Sequence, residues 1–153
     1  MTKTPYRRRR EAKTDYEARL AFLKSERPRL VVRKTNRYIT AQIVESDAAQ
    51  DKVIFSVNSK ELLKKGWPKE KSGSLKSLQA AYLTGFMLGK KLKGKLESVV
   101  LDIGLNRNVS GSRIYALVKG AVDAGVDILH APEIFPKEEK IKSKITEVIK
   151  EKL

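Results

Sequence analysis

Apolar and polar residues alternate between Tyr38 and Val44: Ile39, Ala41 and Ile43 fall on one side of an extended strand, Tyr38, Thr40 and Gln42 on the other. Just upstream, Leu30, Val31 and Val32 form a short, largely β-branched run, and Lys34, Thr35, Asn36 and Arg37 supply a polar turn. Together they predict an antiparallel hairpin. The spacing predicts a third strand over Lys52–Val57, after a polar turn from Ser46 to Asp51. Before the hairpin, Thr14 and Glu17 have the spacing of a capping box, which predicts a helix from Asp15 to Ser25 with Tyr16, Leu20 and Leu23 toward one side. Pro28 closes it.

Beyond the strands, Gly66, Trp67, Pro68, Gly73 and Ser74 mark a loop. A helix is then predicted from Leu75 to Lys93, with Gly94 in the left-handed capping position. Its apolar residues Leu75, Leu78, Tyr82, Leu83, Phe86, Met87 and Leu92 nearly encircle it, and Gly85 and Gly89 are expected to let it approach a sheet closely. Val99, Val100, Leu101 and Ile103 read as a strand buried on both faces. Ile114, Leu117, Val118, Ala121 and Val122 follow at helical spacing with Gly125 as the stop, and Val126, Ile128 and Leu129 make a last short apolar run. From Pro136 a terminal amphipathic helix is predicted. The proline suits a first helical position, Glu138 and Glu139 suit the positive end of the helix dipole, and Ile141, Ile145, Val148 and Ile149 form a narrow stripe that docks on the domain or on a partner. The pattern as a whole is an α/β sandwich with a mixed sheet, antiparallel N-terminal strands being followed by helix, strand and helix. It divides into a basic arm and short helix over 1–27, an α/β domain over 28–130 and a helical tail over 131–153.

Composition narrows what such a domain does. Lys plus Arg number 33 against 18 Asp plus Glu in 153 residues, a formal net charge of +15. That excess exceeds what solubility needs and points to a polyanion, nucleic acid first and an anionic membrane surface second. The membrane reading is the weaker one, because the tail's narrow stripe carries no aromatic anchor. No segment approaches the roughly 20 apolar residues of a membrane span. The charged start is not followed by an apolar run, so no secretory signal is expected and the protein is expected to be soluble and intracellular. The absence of cysteine excludes disulfides, thiolate metal sites and a cysteine nucleophile, and the single histidine, His130, excludes any site that needs two imidazoles.

The charge is uneven. Residues 1–37 hold 13 basic and 4 acidic side chains, including the run Arg7, Arg8, Arg9 and Arg10 after Tyr6. Self-repulsion is expected to keep this run extended in the absence of a partner. Guanidinium grips phosphate through a planar fork and stacks on bases, so the arm suits an RNA or DNA backbone; an import signal or a solubilising arm is the alternative. Tyr6, Tyr16 and Tyr38 interleave with the basic residues and permit base stacking.

Enzymatic readings find little support. A metal-dependent nuclease needs several converging carboxylates, and the strand candidates Asp102, Glu45 and Glu97 do not share a spacing that brings them together. Ser110, Gly111 and Ser112 follow no nucleophile-elbow pattern, and His130 beside an apolar run reads as a packing or turn residue. The segment Gly104–Ser112 says more. It joins a strand to a helix beginning near Arg113 and carries glycines, amides, a hydroxyl and Arg107. Helix-start amides with guanidinium groups suit phosphate; an ordinary connecting loop is the alternative. The segment lacks the Walker lysine and the dinucleotide glycine spacing, so no nucleotide cofactor is expected. The polar hairpin face of Tyr38, Thr40 and Gln42, flanked by Arg33, Asn36 and Arg37, suits RNA minor-groove and backbone contact or is a plain solvated face.

These motifs, in order, resemble the archaeal large-subunit ribosomal protein L-eighteen family. They are Tyr6–Arg10, Lys13–Thr14–Asp15–Tyr16, Arg29–Leu30–Val31–Val32 and Asn36–Arg37–Tyr38–Ile39, followed by Ala80–Ala81–Tyr82–Leu83–Thr84–Gly85, Leu101–Asp102–Ile103–Gly104–Leu105, Gly111–Ser112–Arg113 and Lys119–Gly120–Ala121. Gly66–Trp67 and the tail after Ile134–Phe135–Pro136 match the archaeal and eukaryotic style. The resemblance implies a three-layer α/β sandwich of ribonuclease-H-like topology. It implies a non-enzymatic protein of the cytoplasmic large ribosomal subunit that binds 5S rRNA, touches 23S rRNA and neighbours other proteins of the central protuberance. A ribonuclease-H-like metal-dependent nuclease is the rival. The RNA-binding residues it implies are Arg7, Arg8, Arg9, Arg10, Lys13, Arg33, Asn36, Arg37, Tyr38, Asn106, Arg107 and Arg113, and Tyr16, Arg19, Ser110 and Gly111 are expected to bind RNA beside them.

Overall fold

The computed structural model describes residues 4–47, 50–92, 95 and 98–153. In chain order its elements are α1 (Arg7–Arg10), α2 (Tyr16–Ser25), β1 (Arg29–Lys34), β2 (Ile39–Asp47), β3 (Gln50–Asn58), α3 (Leu78–Leu92), β4 (Val100–Asp102), α4 (Arg113–Asp123), α5 (Glu138–Ile141) and α6 (Lys144–Lys152).

The hairpin forms as its alternation demands. β1 and β2 pair antiparallel with Lys34 opposite Ile39, and Thr35 Oγ1 braces the turn by accepting from the Tyr38 amide at 2.9 Å. Ile39, Ala41 and Ile43 are sealed from solvent, and burying each isoleucine is worth roughly 1.5–3 kcal/mol. Thr40 and Gln42, on the other face, are half-buried and bond across to Asn58 and Ser56, while Tyr38 packs against the core instead of standing free. β3 joins β2 antiparallel with a bulge between Ile43 and Val44, and β4 joins β1 in parallel, so the mixed sheet has the order β3-β2-β1-β4. The predicted turn from Ser46 to Asp51 tightens: pairing continues to Asp47 opposite Gln50, and residues 48–49 lie outside the described residues.

Several expectations give way to packing. Among the described residues β4 lies beyond β1 with a single parallel bridge, Val99 to Ile128, on its far side, so Val100 and Leu101 are half-buried and not enclosed on both faces. The loop expected at Gly66–Ser74 is built from two 3-10 helices, Ser59–Lys65 and Lys69–Ser74, around a buried Trp67 whose indole N–H donates to the Lys71 carbonyl at 3.0 Å. α3 starts at Leu78, three residues later than predicted, because Leu75 is buried in the preceding turn; its expected cap Gly94 lies outside the described residues. Leu129, expected in an apolar run, is 93% exposed.

The role expected of Gly85 and Gly89 also changes. They admit a helix, not the sheet. A Cβ on Gly85 would collide with the Leu117 carbonyl of α4, one on Gly120 of α4 would collide with the Tyr82 carbonyl of α3, and one on Gly89 would meet Ala124 at 2.5 Å. The two backbones touch through reciprocal glycines, and the pair packs beside the sheet. The single tail helix becomes two. Lys137 is the N-cap of α5, which places Pro136 ahead of the helix, and extended backbone at Lys142 and Ser143 separates α5 from α6. Ile141 and Ile149 of the tail reach the core, whereas Val148 is 49% exposed. Tyr82 ties tail and helices together, donating to Asp123 Oδ2 at 2.8 Å and accepting from Lys150 at 3.1 Å. Burial, and then the Asp123 carboxylate, push its phenol well above the usual range.

Candidate nucleic-acid interface

The basic arm is not extended. Arg7–Arg10 form one helical turn because Glu11 draws in the surrounding cations, Arg7 at 3.1 Å and Lys13 at 2.9 Å, which offsets the repulsion within the run. Arg8 donates to Thr14 at 2.7 Å, and the Tyr6 and Tyr16 rings meet at 5.3 Å. Thr14 therefore does not cap the next helix. Asp15 does, accepting from the Glu17 and Ala18 amides at 3.0 and 3.1 Å. No side chain of α2 is fully buried and Leu20 is 53% exposed, so the helix carries no sealed apolar side. All four arginines of α1 are exposed.

Arg8 and Lys13 then meet α2, β1 and the end of β4. Together with Arg19, Arg29, Arg33, Asp102 and Gly104 they line a groove of about 290 Å³. Its floor is an ion network. Arg29 is 4% exposed and contacts Asp102 at 3.4 Å, Asp51 at 2.9 Å and Ser46 at 3.1 Å. Arg19 joins Asp51 at 3.0 Å, and Arg33, still half-exposed, lies 3.5 Å from Asp102. Burial pushes the Asp51 carboxyl up, but hydrogen bonds from Ser46 and Arg19 and the charges of Arg29 and Arg19 outweigh it and hold the group below the usual carboxylate range. Arg29 and Asp51 escaped the sequence reading, because an arginine opening an apolar strand shows its purpose only when acids 22 and 73 residues away fold against it.

Asp102 is structural here. Its Oδ1 accepts from the Gly104 amide at 2.7 Å, which shapes the turn into the following loop. Glu45 stands on β2 with β1 between it and Asp102, and Glu97 lies outside the described residues. Among the described residues no three His, Asp or Glu side chains converge to hold a metal. Asp102→Asn is expected to cost about 2 kcal/mol, the worth of a hydrogen bond to a charged group, and to leave the domain folded. Urea unfolding checks this, and an unchanged midpoint would show that Arg29 does not depend on the pair.

A second groove of about 330 Å³ adjoins the first. Lys34 follows Arg33, and Asn106 and Arg107 follow Gly104 and Leu105; with Gly111, Ser112 and Arg113 these residues line it. Its base is the start of α4, where Ser112 offers no side-chain cap, so the first-turn amides keep their affinity for an anion. Gly111 has φ +70°, the left-handed conformation that a β-branched residue resists. The loop is held from behind: the Gly111 amide donates to the Ile134 carbonyl at 2.8 Å and Ser110 Oγ to the Glu133 carbonyl at 3.0 Å. Asn106 donates to the Ile103 carbonyl at 2.7 Å, and the Tyr115 hydroxyl donates to Asn108. Arg107 and Arg113 are exposed and have no ion-pair partner among the described residues.

The sequence-predicted residues thus fall into four places. Arg8, Lys13, Arg19 and Arg33 share the first groove; Asn106, Arg107, Gly111 and Arg113 share the second. Asn36 and Arg37 project at the hairpin bend, with Tyr38 half-buried beneath them, and Arg7, Arg9 and Arg10 stand on α1. Ser110 is occupied by the tail, and Tyr16 packs on Tyr6. Lys34, like Arg29 and Asp51, is a residue the sequence alone did not single out.

The chain is similar to known proteins over most of its length. A family model described as "Ribosomal large subunit proteins 60S L5, and 50S L18" matches residues 2–99 and 97–131. The large ribosomal subunit protein uL18 of Korarchaeum cryptofilum is 48% identical over 152 residues, covering 99% of this chain and 76% of the relative. The large ribosomal subunit protein uL18 of Methanothrix thermoacetophila is 43% identical over 144 residues, covering 94% of this chain and 83% of the relative.

Proposed function

The chain belongs to the family of the ribosomal large-subunit proteins 60S L5 and 50S L18, and on that premise we propose that its two adjoining grooves bind 5S rRNA and help attach it to 23S rRNA in the central protuberance, among neighbouring large-subunit proteins. The observation that carries the reading is convergence. Residues from the arm, α2, β1 and the loop after β4, scattered over about a hundred positions, present guanidinium groups in two grooves whose linings follow one another along the chain at Arg33–Lys34 and Leu105–Asn106. The family is one of structural ribosomal proteins, not of enzymes, so the work is binding alone.

The mechanism is neutralisation of closely spaced phosphates. Arg8, Arg107 and Arg113 offer forks that grip two phosphate oxygens, Arg33 adds its charge while its own fork holds Asp102, the α4 amides add a fixed positive dipole, and the exposed Arg7, Arg9 and Arg10 extend the contact beyond the grooves. Asn36, Arg37 and the edge of Tyr38 suit the shallow minor groove of an A-form helix, where shape and hydroxyl contacts count for more than base sequence. The Ser110 and Gly111 bonds to Glu133 and Ile134 position the loop. The tail over 131–153 is accordingly a support for the RNA-binding domain over 28–130, and the arm over 1–27 extends that domain's reach along the RNA. The order β3-β2-β1-β4, with the Val99–Ile128 bridge as a rudimentary fifth position, supports the three-layer ribonuclease-H-like topology.

Arg107→Ala and Arg113→Ala are each expected to weaken 5S binding about tenfold, and lysine in either place to restore it only in part, because an ammonium keeps the charge and loses the fork. Isotherms at one salt concentration, with circular dichroism to confirm folding, read the effect. If both alanine variants bind like the parent, the second groove is no part of the interface.

A further inference from the structure

The eleven arginines of the chain all lie within residues 7–37 or 107–113; every other cation is a lysine. This division is spatial as well as sequential. Leu78, at the start of α3, lines the arginine groove with Arg107 and Arg113. The last turn of the same helix carries Lys90 and Lys91, about 20 Å away at 1.5 Å per residue. Around that far end the structure gathers further lysines. The 3-10 helix Ser59–Lys65, which carries Lys64 and Lys65, is tied there by Lys91 to Glu61 at 3.2 Å. The end of α6 arrives as well, with Lys152 so close to Gly66 that a methyl group there would touch its ammonium at 3.5 Å.

Two features set this cluster apart from an ordinary solvated surface. Residues 59–95 hold ten lysines against two acidic residues, which is more than the +6 net charge of the whole chain beyond residue 37. Lys90 and Lys150 also stand over one ring, their ammonium groups 5.2 and 4.8 Å from the centre of Phe86. The ring attracts each cation but does not neutralise either, and neither ammonium group forms an ion pair among the described residues. Dipole capping explains lysines in the last turns of α3 and α6 singly. It does not explain three element ends brought to one place, where Lys64, Lys65, Lys90 and Lys152 have no ion-pair partner among the described residues.

We propose that this lysine face, at the end of α3 remote from the arginine grooves, is a second polyphosphate-binding surface that takes the backbone of a separate RNA helix by charge alone. Ammonium groups are hydrated point charges without a fork, so the face reads phosphate density and not base or groove geometry. The proposal rests on reading the chain as an rRNA binder and adds where and how a second RNA segment is held: the arginine side recognises, the lysine side clamps.

The test uses the full chain bound to 5S rRNA and an unrelated RNA duplex of about two helical turns as the probe. The complex is expected to take up the duplex with a log–log salt slope of several units. Replacing Lys64, Lys65, Lys90 and Lys150 together by Gln is expected to weaken that uptake at least tenfold and to flatten the slope by roughly 3, at about 0.7 to 0.9 for each phosphate no longer neutralised. Affinity for 5S rRNA at one salt concentration is expected to move less than about twofold, and Arg at the same four positions to behave like the parent. Should the quadruple variant unfold, Lys64→Gln with Lys65→Gln touches no ion pair and is expected to weaken duplex uptake about threefold. Unchanged uptake in these variants overturns the proposal, as does a parent complex that takes up polyglutamate but not the duplex. Failure of the 5S reading itself shows elsewhere, in a parent chain that binds 5S rRNA no more tightly than an unrelated RNA of the same length.

Discussion

A chain lacking residues 1–13 is expected to fold normally and to bind 5S rRNA about 100-fold or more weakly. The arm contributes nothing to the core, since no residue of α1 is buried, and the cut leaves Asp15 in place to cap α2. What is lost is charge at the mouth of the first groove: Arg8 and Lys13 from its lining, and Arg7, Arg9 and Arg10 beside it. Five cations that each meet a phosphate set a salt slope about 3.5 to 4.5 units steeper in the intact chain than in the truncated one. Isotherms across a salt series give both quantities, and thermal unfolding checks the fold. Equal slopes in the two chains would mean that the arm never reaches the RNA, and recognition would then rest on the grooves and the hairpin bend.

Gly85→Ala is expected to destabilise the domain by about 3 kcal/mol or more, and Gly85→Val to leave it unfolded. The added carbon would fall on the Leu117 carbonyl, and the opposing group is backbone, so no side chain can rotate away. Separating α3 from α4 would also break the reciprocal approach at Gly120 and shift the α4 start that forms the base of the second groove. Gly73→Ala serves as the control. Its Cβ would meet nothing within 4 Å and its φ is unremarkable, so it is expected to be neutral or slightly stabilising. Urea midpoints for the two alanine variants decide the matter, and similar midpoints would refute a backbone-to-backbone contact.

Site residues were legible where their chemistry was local. The arginine run, the loop after β4 and the hairpin turn each announced themselves by composition within ten residues, and the structure brings half of the predicted residues to two adjoining grooves. Residues whose purpose depends on a distant partner stayed hidden. Arg29 looks like the polar start of a strand until Asp51 and Asp102 close on it, and Lys34 looks like turn material until Asn106 and Arg107 arrive beside it. Caps were misread for a related reason. Thr14 and Asp15 are both competent, and the choice went to Asp15 because Arg8 engages the Thr14 hydroxyl.

Periodicity alone determined the hairpin with Ile39, Ala41 and Ile43 inward, the helix ending before Gly125 and the nearly all-buried helix through Phe86, and charge alone set the expectation of a polyanionic partner. Each is a statement about a residue and its near neighbours, or about a sum over residues, and neither needs a third dimension. Tertiary structure alone decided which surface Gly85 meets, that β4 lies outside β1 with only a bridge beyond it, that the tail breaks at Lys142 and Ser143 to send both Ile141 and Ile149 into the core, and that lysines from three elements gather at the far end of α3. The physical reason is common to all four. A glycine, a short strand, a helix break or a lysine has several locally acceptable environments, and only the packing of segments far apart in the chain selects one of them.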